Sequence, residues 1–294
     1  MSANNYSNDT KSYSRGVLIQ RIIVIAVLVI LSIISIFPFW ITFVNTTITS
    51  QQIQSGITII PGGEFMKNVK NLLARSDTIN VLAGFKNSMI ISVGFTALAV
   101  FFSTATAYGL TVYQFKGKDM LYAFILGIMM IPQQVSIIGF YQFMSKMGLL
   151  NSFVPLIVTA VAAPAVVFFM KQYMSGALSI SLVEAARIDG CSEFRTFFQI
   201  ALPLCKPAIA TQAIFNFITS WNNFFTPSII LTDKTKYTLP VMVSMLKSDQ
   251  FRTDYGLVYT GIFFTIIPLI VVYLILSKLS LIHISEPTRP RLIS

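Results

Sequence analysis

An apolar segment in the C-terminal third of the chain, residues 208–231, carries polar side chains at helical spacing. The set is Gln212, Asn216, Thr219, Asn223 and Thr226, with Asn222 at its edge and Trp221 facing away. Steps of four, three, four and three residues place the five on one face of a helix. Amides and hydroxyls can hydrogen-bond an uncharged polar solute without fixing a charge. We interpret this polar stripe as the wall of a translocation path, with hydrogen bonding that serves only helix packing as the alternative.

A second polar site follows a proline inside another apolar run, residues 121–143. Pro132 is followed by Gln133 and Gln134. A proline kinks a helix and frees backbone carbonyls, which need new partners within a membrane. The two glutamines are therefore further candidates for the translocation path or its gate.

A polar stretch between two apolar runs reads EAARIDGCSEFRTFFQIALPLCKP, residues 184–207. Ser181 and Glu184 have the spacing of a capping box, which predicts a helix that begins at Ser181. Gly190 follows after about two turns, where a glycine in the left-handed conformation commonly ends a helix.

A second short helix is predicted after this turn. Ser192 is a suitable N-cap residue, and Pro203 and Pro207 are predicted to close the helix. We call the whole unit, residues 181–207, the elbow: a short helix, a glycine turn and a second short helix between apolar segments.

The elbow resembles the EAA loop of ABC-importer permeases. The residues that carry the resemblance are Glu184, Ala185, Ala186, Arg187, Asp189, Gly190 and Pro203. The string EAARIDG, with the later LP and KP, is similar to the carbohydrate branch and its maltose-type (MalG-like) permease. The string WNNF at residues 221–224 also resembles a segment of that branch.

The resemblance implies that the elbow docks on a cytoplasmic ATPase. Glu184, Arg187, Asp189 and Glu193 would then make docking contacts, and Ala185 and Ala186 would allow close approach. The implied partners are a second homologous permease, an ABC ATPase dimer and an extracellular sugar-binding protein. The chain itself would hold no catalytic residue and no cofactor, because ATP and magnesium would bind to the ATPase.

The composition predicts an all-α membrane protein. Hydrophobic residues make up 54% of the chain and charged residues 11%, about half the charge of an average soluble domain. Six apolar runs are long enough for membrane spans. They are residues 22–44, 89–108, 121–143, 153–170, 208–231 and 256–276.

The spans define the domain organisation. Residues 1–15 read as a disordered cytoplasmic tail, and residues 16–280 as one permease domain. The polar loop of residues 45–86 contains a predicted short helix near residues 65–73. We interpret residues 281–294 as foreign to the native sequence, with a divergent genuine tail as the alternative.

Six spans place both termini and the elbow on one side of the membrane. That side carries twelve of the Lys and Arg residues and the other side nine, a weak bias toward a cytoplasmic elbow. Cys191 and Cys205 should then be reduced thiols. The loops of residues 45–86 and 232–255 would face the binding protein.

The sequence lacks the residues that a secondary carrier, a membrane-embedded enzyme or a metal site requires. No Asp, Glu, Lys or Arg lies within the predicted spans, which argues against a secondary carrier or an embedded enzyme. One histidine and two cysteines offer no metal-site spacing. The net charge of +10 is spread between apolar runs, where basic residues commonly flank membrane spans, so it does not indicate nucleic-acid binding; membrane lipid is the expected partner. An ABC importer of another solute, such as a peptide or a polyamine, and a passive channel remain alternatives.

Overall fold

The structure is a computed structural model that describes residues 3–75, 80–247 and 253–281, and within these ranges it is all-helical. Within these three ranges, fifteen α-helices follow one another, joined by loops, two 3₁₀ turns and one π-helical turn. They are α1 Ala3–Thr46, α2 Ser50–Ser55, α3 Phe65–Ala74, α4 Val81–Val112, α5 Lys118–Met129, α6 Gln133–Lys146, α7 Val154–Val158, α8 Pro164–Ala177, α9 Ile180–Ile188, α10 Glu193–Thr196, α11 Leu202–Leu204, α12 Lys206–Trp221, α13 Phe225–Ile230, α14 Leu239–Met245 and α15 Tyr255–Leu281.

Among the described residues, four helical segments are long and apolar enough to cross a membrane. They are Val17–Thr46, Val81–Val112, Val154–Ala177 and Tyr255–Ser277. A fifth is added if Glu193–Leu204 and Lys206–Trp221, which meet at a bend of 76°, form one span. These segments match four of the six predicted spans, and the full set of six stays a prediction.

The predicted third span, residues 121–143, is discontinuous. Helix α5 ends at Met129, Pro132 occupies the N-cap of α6, and α6 begins at Gln133. The proline lacks an N–H and disfavours helical geometry in the residue before it. The predicted kink is therefore a break, and the two helices of 12 and 14 residues are each about 20 Å long.

The predicted fifth span, residues 208–231, is also interrupted. Helix α12 ends at Trp221 and α13 begins at Phe225. At the other end of the chain, α1 begins at Ala3, so residues 3–15 are helical where the sequence predicts disorder. This segment has no proline or glycine, and extending an existing helix is cheaper than starting one. The tail of residues 282–294 lies outside the described residues.

The chain divides into two compact units, of which the first comprises Met1–Asn71 and Asp254–Phe263. Its loop after α1 is ordered by side chain–backbone hydrogen bonds. Asn68 on α3 donates to the carbonyls of Thr46 and Ile48 at 2.9 and 3.2 Å, and the Trp40 indole donates to the carbonyl of Ile59 at 3.0 Å. The predicted helix near residues 65–73 is confirmed as α3.

The second unit comprises Leu72–Thr253 and Phe264–Ser294, and α4 is its central element. Helices α8, α12 and α14 all pack against α4. Small residues allow this packing: Ser103 is fully buried and donates to the carbonyl of Ala163 at 3.3 Å. One apolar cluster joins α4, α8 and the elbow, with Tyr108, Met170 and Val183 among its buried members.

Candidate coupling and translocation sites

The turn of the elbow has the geometry that the sequence predicts. Gly190 adopts φ +78°, in the left-handed region. Its N–H bonds to the carbonyl of Arg187 at 3.0 Å, and the N–H of Cys191 bonds to that of Ala186 at 2.9 Å. This pair of bonds is a Schellman motif, which ends α9 and satisfies two of its last carbonyls.

The start of the elbow differs from the prediction. Helix α9 begins at Ile180, one residue before the expected start at Ser181, and Ser179 is its N-cap. The Ser179 side chain caps no backbone N–H; its hydroxyl lies 2.7 Å from that of Ser181. The capping box of Ser181 and Glu184 is therefore wrong, because the helix already includes Ser181 and its hydroxyl bonds to a neighbouring serine.

The second half of the elbow is irregular. Ser192 accepts from the N–H of Arg195 at 3.4 Å, so it caps α10 as predicted. A π-helical turn over Phe197–Ala201 then leads to Pro203, which has no N–H to donate to the preceding turn. Pro203 lies near the start of α11 and Pro207 near the start of α12. The prediction that these two prolines end a helix is therefore wrong.

An ion pair joins the two halves of the elbow, and a tyrosine at the end of α4 bonds to the same carboxylate. Arg187 donates to both carboxylate oxygens of Glu193, at 2.7 and 3.2 Å. Tyr113, just after the C-terminus of α4, donates its phenolic hydrogen to Glu193. The Arg187 guanidinium lies 5.5 Å from the centre of the Tyr113 ring. The hydrogen bonds from Arg187 and Tyr113 lower the pKa of Glu193, which keeps its carboxylate charged.

Tyr113 is a functional candidate that sequence reasoning missed. Burial, and then its hydrogen bond to Glu193, raise the pKa of Tyr113 to about 12. The phenol therefore keeps its proton and remains a donor at physiological pH. Tyr113 and Glu193 are 80 residues apart in sequence, so no local pattern announces the contact.

The other predicted docking residues divide between the surface and the interior. Glu184, Ala185 and Asp189 are exposed, whereas Ala186 is buried within the chain. Ala186 is therefore closed to a partner in this conformation. Two large apolar side chains beside the turn are strongly exposed instead: Ile188 is 86% and Phe194 is 79% accessible.

The first three members of the polar stripe lie on α12. Gln212 is buried, Asn216 is half-buried and Thr219 is exposed, so the stripe runs from the interior to the surface. The Asn216 amide donates to the carbonyl of Gln212 at 2.8 Å, and the Thr219 hydroxyl donates to that of Phe215 at 2.8 Å. Both of these bonds stay within the helix, so neither joins α12 to another described element.

The remaining members lie beyond the end of α12. Asn222 is exposed at the C-cap, and Asn223 accepts from the N–H of Thr226 at 3.2 Å at the start of α13. The five residues are thus not on one helix. Trp221 faces away as predicted: it is 1% accessible, and its indole donates to the carbonyl of Thr265 at 2.9 Å. Gln133 and Gln134 lie in the first turn of α6, and their side chains lie outside the described part of the structure.

Comparison with known proteins identifies the family of this arrangement. Residues 99–282 match the family described as binding-protein-dependent transport system inner membrane component. The chain is 38% identical over 194 residues to the arabinooligosaccharides transport system permease protein AraQ of Bacillus subtilis (strain 168), covering 66% of this chain and 68% of that protein. It is 30% identical over 254 residues to the lactose transport system permease protein LacG of Rhizobium radiobacter, covering 86% and 90%.

A solved structure shares the fold. It is a chain of a bacterial ABC transporter involved in the import of the acidic polysaccharide alginate. The TM-score is 0.75 at 22% identity, and the likeness covers 90% of this chain and 97% of that one. With the family match over more than half of its length, this chain belongs to the inner-membrane permease components of binding-protein-dependent ABC transport systems.

Proposed function

We propose that this chain is the permease subunit that carries a sugar or oligosaccharide into the cell in an ABC importer. The relatives named for arabinooligosaccharides and lactose support this substrate class. The observation that carries the proposal is the elbow, in which the EAARIDG string forms the end of α9 and its Schellman turn, and α10 follows before α12. This unit is a compact docking surface that is connected directly to helix α12.

A separate ATPase docks on the elbow. Exposed Glu184 and Asp189 supply charge on both sides of exposed Ile188, and Phe194 adds apolar area across the turn. ATP and magnesium bind to the ATPase, whose closure moves the elbow and rocks the spans. The ATPase dimer contacts this permease and a second, homologous one in the same lipid bilayer.

Six spans cross the membrane in the proposed topology. The discontinuous segments of residues 121–143 and 208–231 are the third and fifth, and irregular backbone at such breaks is tolerated where it lines a cavity or is covered by protein. The termini and the elbow face the cytoplasm. The loop of residues 232–255 faces the sugar-binding protein.

The polar stripe contributes to the path of the sugar. Thr219 and Asn222 offer exposed polar groups at the end of α12, and Asn216 and Asn223 are half-buried beside them. Gln133 and Gln134 begin a helix at a proline break and are proposed for the same path.

The proposal is tested by co-purification and ATPase measurements. The chain is co-expressed with candidate partner permeases and ATPases, and each complex is reconstituted with binding proteins loaded with arabinotriose, lactose or a tripeptide. We expect a sugar-loaded binding protein to stimulate ATP hydrolysis and ATP-dependent uptake. Stimulation by the peptide-loaded protein alone would mean that the substrate is a peptide and not a sugar. Uptake without ATP would mean that the protein is a carrier or a channel and not part of an ABC importer.

A further inference from the structure

Helix α4 has polar attachments at both of its ends. It runs without a break over 32 residues, about 48 Å. Few helices of the second unit are as well covered, since α8, α12 and α14 pack along it. A long helix packed in this way moves as a body, because closely packed interiors deform little.

The first attachment is to the elbow. Tyr113 follows the last residue of α4, and its phenol donates to Glu193, which Arg187 holds from the other side of the Gly190 turn. Arg187 also lies over the Tyr113 ring. A displacement of the elbow therefore pulls on the end of α4 through this charge-assisted hydrogen bond, in addition to the buried apolar cluster that joins the two.

The second attachment lies near the other end of α4, about 39 Å from the first. The buried Asn87 amide donates to the carbonyls of Thr235 and Tyr237 at 2.8 and 3.0 Å. The neighbouring Ser88 hydroxyl accepts from the N–H of Leu239 at 2.8 Å, at the start of α14.

Close backbone packing reinforces this second attachment. A Cβ on Gly84 would lie 2.6 Å from the sulfur of Met242 and 3.3 Å from the Cα of Leu239. The start of α14 is thus seated directly on the first turns of α4. The loop that leads into α14 is fixed to α4 by three hydrogen bonds and by this contact.

We infer that α4 is a strut that carries movement of the elbow to the segment of residues 235–239 at its far end. The inference rests on the proposed function for the direction of the force, from an ATPase at the elbow to a binding protein at the far loop. Tyr113, Asn87 and Ser88 are positioning residues in this account, because they act through the helix and contact no substrate.

The test measures the far loop while the elbow is moved. The complex of this chain with its partner permease and ATPase is placed in nanodiscs and trapped with ADP and vanadate. Hydrogen exchange of the amides of residues 235–239 is compared with that of the nucleotide-free complex. We expect trapping to change their exchange rates at least threefold in the wild type.

The decisive variant is Tyr113→Phe, which removes the donor to Glu193 and keeps the ring beneath Arg187. We expect it to reduce the exchange response to less than half. Thr106→Val is the matched control, because Thr106 lies on α4 and its hydroxyl bonds only within the helix, to the carbonyl of Phe102 at 2.8 Å. An unchanged response in Tyr113→Phe, or no response in the wild type, overturns the strut.

A double-mutant cycle gives a second readout. Tyr113→Phe and Ser88→Ala are remote, so their effects on complex stability should add. Their effects on stimulation by the sugar-loaded binding protein should not add if both interrupt one path. We expect each to lower stimulation at least threefold and the double variant to lower it no further. Additive losses contradict the strut, whereas a wild type that no sugar-loaded protein stimulates contradicts the proposed function; the exchange test is independent of that outcome.

Discussion

The elbow and the polar stripe adjoin in sequence, but their polar side chains are held in different ways. In the elbow, Arg187 and Glu193 bond to each other across a turn, and Glu193 also accepts from Tyr113, which directly follows α4. In the stripe, Asn216 and Thr219 bond to carbonyls of their own helix. Hydrogen bonds between residues far apart in sequence fix the position of the elbow. Hydrogen bonds within one helix leave the side chains of the stripe available to a solute. A threonine hydroxyl that donates in this way retains acceptor lone pairs for a solute.

The largest expected effect comes from straining the turn of the elbow. Gly190→Val places a β-branched residue at φ +78°, although no atom of the described residues beyond its two chain neighbours lies within 4 Å of the new Cβ. A side chain in this conformation costs about 1–2 kcal/mol even without a β-branch. We expect sugar import to fall at least tenfold while the amount of protein in the membrane stays within twofold.

Asn is the control at this position, since it adopts the left-handed conformation more readily than other residues with side chains. Gly190→Asn should retain most of the import, measured as uptake of labelled sugar by cells. Equal import by the valine variant and the wild type would mean that the turn does not couple the elbow to transport.

A smaller effect is expected from the stripe. Thr219→Val removes a hydroxyl from the exposed end of α12, and we expect the KM for sugar import to rise about threefold. Thr211→Val is a matched control, because Thr211 makes the same type of bond, to the carbonyl of Pro207 at 2.9 Å, about 80° around the helix from Thr219. Equal KM values for the two variants would favour a packing role for the stripe.

The smallest expected effect concerns the caps of the elbow. Ser192 caps α10, whereas Ser181 lies inside α9. Removal of an N-cap side chain costs about 1 kcal/mol, so Ser192→Ala should lower the Tm of the detergent-solubilised protein by about 2 °C. Ser181→Ala should leave the Tm unchanged. A larger decrease in Tm for Ser181→Ala than for Ser192→Ala would indicate that Ser181 caps α9, as the sequence predicts.

Local chemistry predicted the parts of the fold that depend on one residue. Gly190 ends a helix, Ser192 begins one and Pro132 interrupts one, because each constrains its own backbone or its nearest N–H groups. The prolines of the elbow show the limit of this reasoning. Pro203 lies near the start of a helix, although the residue type alone is compatible with either end.

Contacts between distant residues were not predictable from the sequence. Asn87 and Thr235 are 148 residues apart, and the break between α12 and α13 carries no proline or glycine at residues 222–224. The length of the apolar run predicted residues 208–231 as one span, because hydrophobicity does not record whether the helical backbone is continuous. The buried position of Ala186 likewise depends on packing against other elements.

The most direct test of the account is the sidedness of Cys191. This thiol is half-buried beside the Gly190 turn, whereas Cys205 is fully buried, so Cys191 alone should react. The chain is expressed without its ATPase and treated with a membrane-impermeant maleimide, with Cys191→Ser as the control. We predict labelling of Cys191 in inside-out vesicles and none in intact cells. Labelling in intact cells would place the elbow on the outer face and contradict coupling to a cytoplasmic ATPase.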